Sequence, residues 1–167
     1  MKKKKQVILI MTDTQRKDMV GCYNTEMDMN TPNIDTLAAK GMKFEKAYTC
    51  QPVCGPARSA IFTGTYPHTN GSIANSMPLN QHAKTIGQRL SKYNIHTAYI
   101  GKWHLDGGDY FGDGICPDGW DKEYWFDMRN YLDLMTEEER LKSRKFKTVF
   151  DEEIPESFTY AHQCSNR

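Results

Sequence analysis

The sequence predicts an α/β fold, a largely parallel sheet flanked by helices, and three observations carry that expectation. An apolar run of strand length with β-branched residues, QVILIMT at 6–12, has the unalternating character of a strand buried on both faces. Two further segments of strand character, MKFEKAYT at 42–49 and HTAYIG at 96–101, follow it. Helical patterns lie between these segments, and strands separated by helices are joined by parallel crossovers.

The first strand closes at Asp13, so a carboxylate stands at a strand's carboxyl end, a position where Asp also serves as a helix or turn cap. Thr31-Pro32 followed by NIDTLAAK and Gly41 predicts a short capped helix, with Pro at its first position and Gly just past its last turn. Its apolar stripe is Ile34, Leu37 and Ala38. A second helical stretch, TIGQRLSKY at 85–93, precedes the third strand. Residues 103–131 change to Gly, Asp and aromatics without a sustained period and read as a long surface loop. Within it, Asp106 to Trp120 is a candidate substrate-facing loop, whose aromatics suit stacking on a sugar ring as well as they suit ordinary packing. Thr136 to Glu139 is a capping box that opens a charged, solvated helix reaching about residue 147, with Glu138 and Lys142 at i,i+4 spacing. After Pro155 a polar stretch runs to Arg167 without turn or capping chemistry, which gives the expectation of an incomplete domain.

A chain of 167 residues has the length of one core. Lys and Arg number 22 against 21 Asp and Glu, so the balance gives no general pull toward nucleic acid or an anionic membrane. Any recognition of an anion has to be local. The MKKKK start is followed by too short an apolar run for a signal peptide or a membrane span, and the reading is a basic tail entering the first strand of a cytoplasmic protein. Five cysteines, at 22, 50, 54, 116 and 164, are odd in number and irregular in spacing, as reduced thiols are, and no zinc-type ligand pair follows Cys50 and Cys54.

The stretch from Cys50 to Gly71, CQPVCGPARSAIFTGTYPHTNG, holds the chemistry. It predicts a helix with Pro56 at its first position, Arg58 and Ser59 in its first turn and Gly64 at its close, so Cys54 sits at or just before the N-terminus. There, unpaired amides and the positive end of the helix dipole stabilise anions and activate a thiol. Arg58, one turn on, adds a planar donor fork suited to sulfate or phosphate. On this geometry alone two readings stand: a nucleophile beside an anion site, or a buried structural cysteine with a surface arginine. Gly101-Lys102-Trp103-His104 follows the third strand, and a continuing strand turns Lys102 and His104 to one face and Trp103 to the other. In isolation such a trio is ordinarily a surface lysine beside a satisfied core histidine. His68, His82 and His96 have no comparable context and read as structural or surface residues.

The run Cys54-Gly55-Pro56-Ala57-Arg58-Ser59-Ala60, with Ile61-Phe62-Thr63-Gly64 behind it, resembles the signature of the formylglycine-dependent sulfatases. ILIMTD ending at Asp13, TPNIDTLAAKG, and Gly101 to His104 fall in that family's order, and the resemblance extends from about residue 6 to at least 121. It implies that residues 1–167 are the N-terminal part of a single catalytic domain of the alkaline phosphatase and sulfatase-like fold, with the remainder missing. It implies an enzyme that hydrolyses sulfate monoesters of a small molecule or a glycan, this portion being inactive alone. Cys54 would be converted to formylglycine by a formylglycine-generating or an anaerobic sulfatase-maturing enzyme. One hydroxyl of the hydrated aldehyde attacks sulfur, and the second then expels sulfate. A divalent cation, typically calcium, would be held by Asp13 and the hydrated side chain at 54. Arg58 would orient the diol, and Lys102 and His104 would bind the sulfate oxygens, one of them or a later histidine protonating the leaving alcohol.

The pattern departs from the family at two places. Thr14 stands where many sulfatases carry a second acidic ligand, and Gly55 and Ala57 stand where hydroxyl residues are more usual. Phosphonate and phosphate ester hydrolases of the same superfamily also depart from the paired acids, which keeps that activity as an alternative. A non-catalytic oxyanion-binding or docking domain is the alternative of another class.

Overall fold

Two short strands, β1 (Tyr99–Gly101) and β2 (Trp125–Asp127), pair in parallel, with Tyr99 opposite Trp125, Ile100 opposite Phe126 and Gly101 opposite Asp127. The structure is a computed structural model that describes residues 6–145 apart from 25, 28, 109 and 110. The chain divides into two units, Met1–Tyr48 and Thr49–Arg167.

In the first unit, helix α1 (Pro32–Lys40) forms where its caps predict, with Thr31 before it, Pro32 at its first position and Gly41 after it. The Asp35 carboxylate accepts the Cys22 amide at 2.7 Å and the Thr31 hydroxyl at 3.1 Å, tying the helix to the 3-10 turn at Gly21–Tyr23, which follows another at Lys17–Met19. The expected stripe of α1 is not covered, since Ile34 and Leu37 are exposed. The two strands expected in this region carry no ladder among the described residues. Val7 is 93% and Ile8 83% exposed, and Phe44 and Tyr48 also face outward. Apolar, β-branched content makes a segment ready for a sheet, but a strand exists only against a neighbour's amides and carbonyls. Residues 43–45 are held by side chains instead: the Tyr23 hydroxyl donates to the Phe44 carbonyl at 2.9 Å, Lys17 donates to the Glu45 carbonyl at 2.8 Å, and Lys43 pairs with the Glu45 carboxylate at 2.7 Å. That last bond is the main reason the exposed Glu45 carboxyl lies below its usual range.

The second unit is helices α2 (Cys54–Thr63), α3 (Pro67–Asn70) and α4 (Ile86–Ser91), the β1–β2 pair, and helices α5 (Met128–Leu134) and α6 (Glu137–Lys145). Its core is aromatic. Tyr99 stacks on Trp125 with centroids 4.8 Å apart, Phe62 of α2 lies 5.1 Å from Trp103, and Trp120 sits edge-on to both tryptophans at 5.7 Å. Offset and edge contacts of this kind add to the area term, so the cluster joins α2, β1 and β2. The chain therefore is α/β, with a parallel pair and helices around it, as expected. The long loop expected over 103–131 is interrupted by β2 and the start of α5, because Trp125, Asp127 and Met128 are buried and a strand of three residues is too short to show a period. Trp120, offered by the sequence as a substrate-facing aromatic, is part of the cluster. Asp127 caps α5 by exchanging bonds with Asn130, each 3.0 Å, and its other oxygen accepts the Gly114 amide at 3.1 Å, which pins the glycine-rich loop. Thr136 and Glu139 make the expected box before α6, with the Thr136 amide 2.7 Å from the Glu139 carboxylate. The Lys142 side chain, the end of the helix beyond Lys145 and the stretch after Pro155 lie outside the described residues.

Candidate active site

Cys54 is the first residue of α2 and partly exposed; Pro56 is at the third position, not the first as expected. A proline there costs no bond, since the third amide of a helix has no partner within it. The helix closes at Gly64, whose φ of +69° lets its amide reach the Ala60 carbonyl at 2.8 Å. The hydroxyls of Ser59 and Thr63 turn back onto their own helix, to the carbonyls of Pro56 at 2.7 Å and Ser59 at 2.6 Å. Arg58 is 6% exposed. A buried arginine beside a part-exposed cysteine is the reverse of a buried cysteine with a surface arginine.

The Arg58 guanidinium donates from Nη1 to the Lys102 carbonyl at 2.5 Å, and the Tyr99 hydroxyl donates to the same oxygen. Two donors from different elements thus fix the turn after β1. Among the described residues no carboxylate pairs with Arg58, and a buried charge without a counter-charge is costly. Lys102 and His104 are each 4% exposed. The strand does not continue through them: β1 ends at Gly101, Trp103 is buried like its neighbours, and His104 has φ of +58°. The expected alternation fails because the strand stops at Gly101 and the backbone is left-handed at His104. A left-handed backbone at a non-glycine residue costs about 1–2 kcal/mol and persists only where its surroundings impose it.

Asp13 belongs to the first unit, and Thr14 behind it has φ of +57°. The second unit adds Asp106, which accepts the Gly108 and Asp113 amides at 3.2 and 3.0 Å; burial pushes its carboxyl above the usual range despite those bonds. A hard cation takes six to eight oxygen ligands. Among the described residues no group of three or more His, Cys, Asp or Glu is placed to hold a metal ion. Sequence reasoning missed Asn75 and Tyr99. Asn75 acts through a single oxygen on an amide 20 positions away, which no local pattern records, and Tyr99 through its hydroxyl on the carbonyl of Lys102 three residues on.

The model of the sulfatase family matches residues 5–161. The chain belongs to the sulfatase family. Among its relatives is the uncharacterized sulfatase YidJ of Escherichia coli, 48% identical over 99% of this chain and 34% of that protein. An N-acetylglucosamine-6-O-sulfatase of Bacteroides thetaiotaomicron is 29% identical over 92% of this chain and 31% of its own length. A solved structure of BT4656, in complex with its substrate D-glucosamine-2-N,6-O-disulfate, superposes with a TM-score of 0.55 at 32% identity, covering 65% of this chain and 20% of that one. This sulfatase-family chain therefore spans about a third or less of the length of these relatives.

Proposed function

We propose that this chain is the N-terminal part of a sulfatase catalytic domain that hydrolyses sulfate monoesters, with the nucleophile formed from Cys54. The observation that carries the reading is Arg58: a buried cation, one turn into the helix that Cys54 begins, with no carboxylate partner among the described residues. Such a group is stabilised by an anion, and its planar donor fork suits one that presents two oxygens side by side. Formylglycine at 54, made by a dedicated maturing enzyme, supplies a hydrated aldehyde as nucleophile. Arg58 orients that side chain and offsets its charge. Lys102 and His104, set by the turn that Arg58 and Tyr99 anchor, bind the oxygens of the sulfate, and one of them assists proton transfer to the leaving alcohol. Asp13 is the carboxylate assigned to a divalent cation, calcium by analogy with the family, and its further ligands belong to the part of the domain beyond this chain. The substrate is assigned to sulfated sugars, in line with the relatives named for, or solved with, a sulfated glucosamine.

Thr14 favours one second reading, a phosphonate or phosphate ester hydrolase, because a hydroxyl is a weaker ligand than the acid many sulfatases carry there. Rates on matched aryl sulfate and aryl phosphonate esters, measured with the complete domain, separate the two. The expected result is preference for the sulfate; faster turnover of the phosphonate replaces the first reading with the second.

A further inference from the structure

The start of α2 is closed from outside the helix. Its N-cap residue, Val53, has no side-chain acceptor, yet the second amide, that of Gly55, donates to Oδ1 of Asn75 at 2.8 Å. A side-chain oxygen on this amide is what an asparagine at the N-cap ordinarily supplies. Here it comes from a residue 20 positions away. Pro56 next has no N–H, and the Ala57 amide bonds to the Val53 carbonyl at 2.9 Å. The approach is close: a Cβ on residue 55 would lie 3.3 Å from both Cα and Oδ1 of Asn75, tighter than most such contacts, and 3.5 Å from the Ala74 carbonyl oxygen, so glycine at 55 leaves room for the loop. The loop itself is anchored. Ser72 is fully buried with its amide on Oδ1 of Asn70 at 3.0 Å, and Gln51 donates to the Ile73 carbonyl at 3.0 Å.

We propose that Asn75 is a positioning residue for residue 54, and that Gly55 and Asn75 form a matched pair. The carboxamide fixes the first turn of the helix and withholds the Gly55 amide from an anion at residue 54. Oxyanion recognition then falls to side chains, headed by Arg58. The pairing also accounts for glycine at a point where the sulfatase signature more often has a hydroxyl residue. This inference rests on residue 54 as the nucleophile, but it is tested on the thiol before any modification, so the two fail separately.

The full chain, produced without an activating enzyme, is alkylated with iodoacetate, an anion, and with iodoacetamide, its neutral counterpart, and the Cys54 peptide is quantified by mass. The ratio of the two rates reports the donors that meet an anion at residue 54, and accessibility cancels. Asn75→Leu has a similar shape and no acceptor, so it frees the Gly55 amide. Its ratio is expected to rise by roughly threefold to tenfold, the scale of one charge-assisted bond partly replaced by water. Asn75→Asp keeps the acceptor and adds negative charge, so its ratio is expected to fall below that of the unaltered chain. Any pattern other than these opposite changes, including both rates moving together in both variants, makes Asn75 a loop-packing residue and overturns the proposal. Exchange of the Gly55 amide in the unaltered chain gives a second decision: slow exchange is expected, and free exchange with solvent overturns the proposal too.

Discussion

Arg58→Met is expected to abolish the sulfate-specific rise in the melting temperature of this chain while leaving its stability without sulfate undiminished. The guanidinium is buried and has no carboxylate partner among the described residues. Removing one partner of a desolvated, hydrogen-bonded charge pair costs about 2–5 kcal/mol, so sulfate binding weakens by roughly thirtyfold to several thousandfold. Sulfate also stabilises proteins generally by exclusion from their surface, so the measured quantity is the difference between the chain and its variant across one sulfate series. Without sulfate the argument reverses. Methionine replaces an uncompensated cation by an apolar side chain of similar length, and the Lys102 carbonyl keeps the Tyr99 hydroxyl. A variant that responds to sulfate as the unaltered chain does removes Arg58 from the anion site.

Gly119→Ala is expected to unfold the second unit or lower its stability by roughly 2–5 kcal/mol, the sum of a left-handed backbone and overpacking against main chain. At φ of +85°, a Cβ on residue 119 would lie 2.3 Å from Cα and 2.4 Å from N of Gln88, at the start of α4. Backbone atoms cannot rotate away. Gly64→Ala is the internal control: φ is +69° but nothing lies within 4 Å, so only the backbone cost of about 1–2 kcal/mol applies. Urea midpoints compare the two. Equal losses would mean that the turn before Trp120 does not pack on α4 as described.

Features with a local cause were legible in the sequence. Thr31, Pro32 and Gly41 marked the bounds of α1, though neither Thr31 nor Gly41 makes a cap bond there, while Thr136 and Glu139 opened α6 and Gly64 closed α2, because caps act within a few residues of the bonds they complete. The placing of Cys54 at a helix start followed from the same chemistry. What was not legible depends on partners distant in sequence. The run at 6–12 has strand composition, but composition carries no neighbour. The three residues of β2 take their identity from Tyr99 to Gly101 across the sheet. The left-handed backbone at His104, the burial of Arg58 and the bond from Gly55 to Asn75 are likewise long-range outcomes, and all three lie at the candidate site, where local rules are most often overridden.

The most direct test of the central claim is the mass of the peptide that contains Cys54, taken from protein made in its own host or beside a matching activating enzyme. The account predicts a mass in which the thiol is replaced by an aldehyde or its hydrate. A wholly unmodified thiol under those conditions would contradict the assignment of residue 54 as the nucleophile and leave an oxyanion-binding domain in its place.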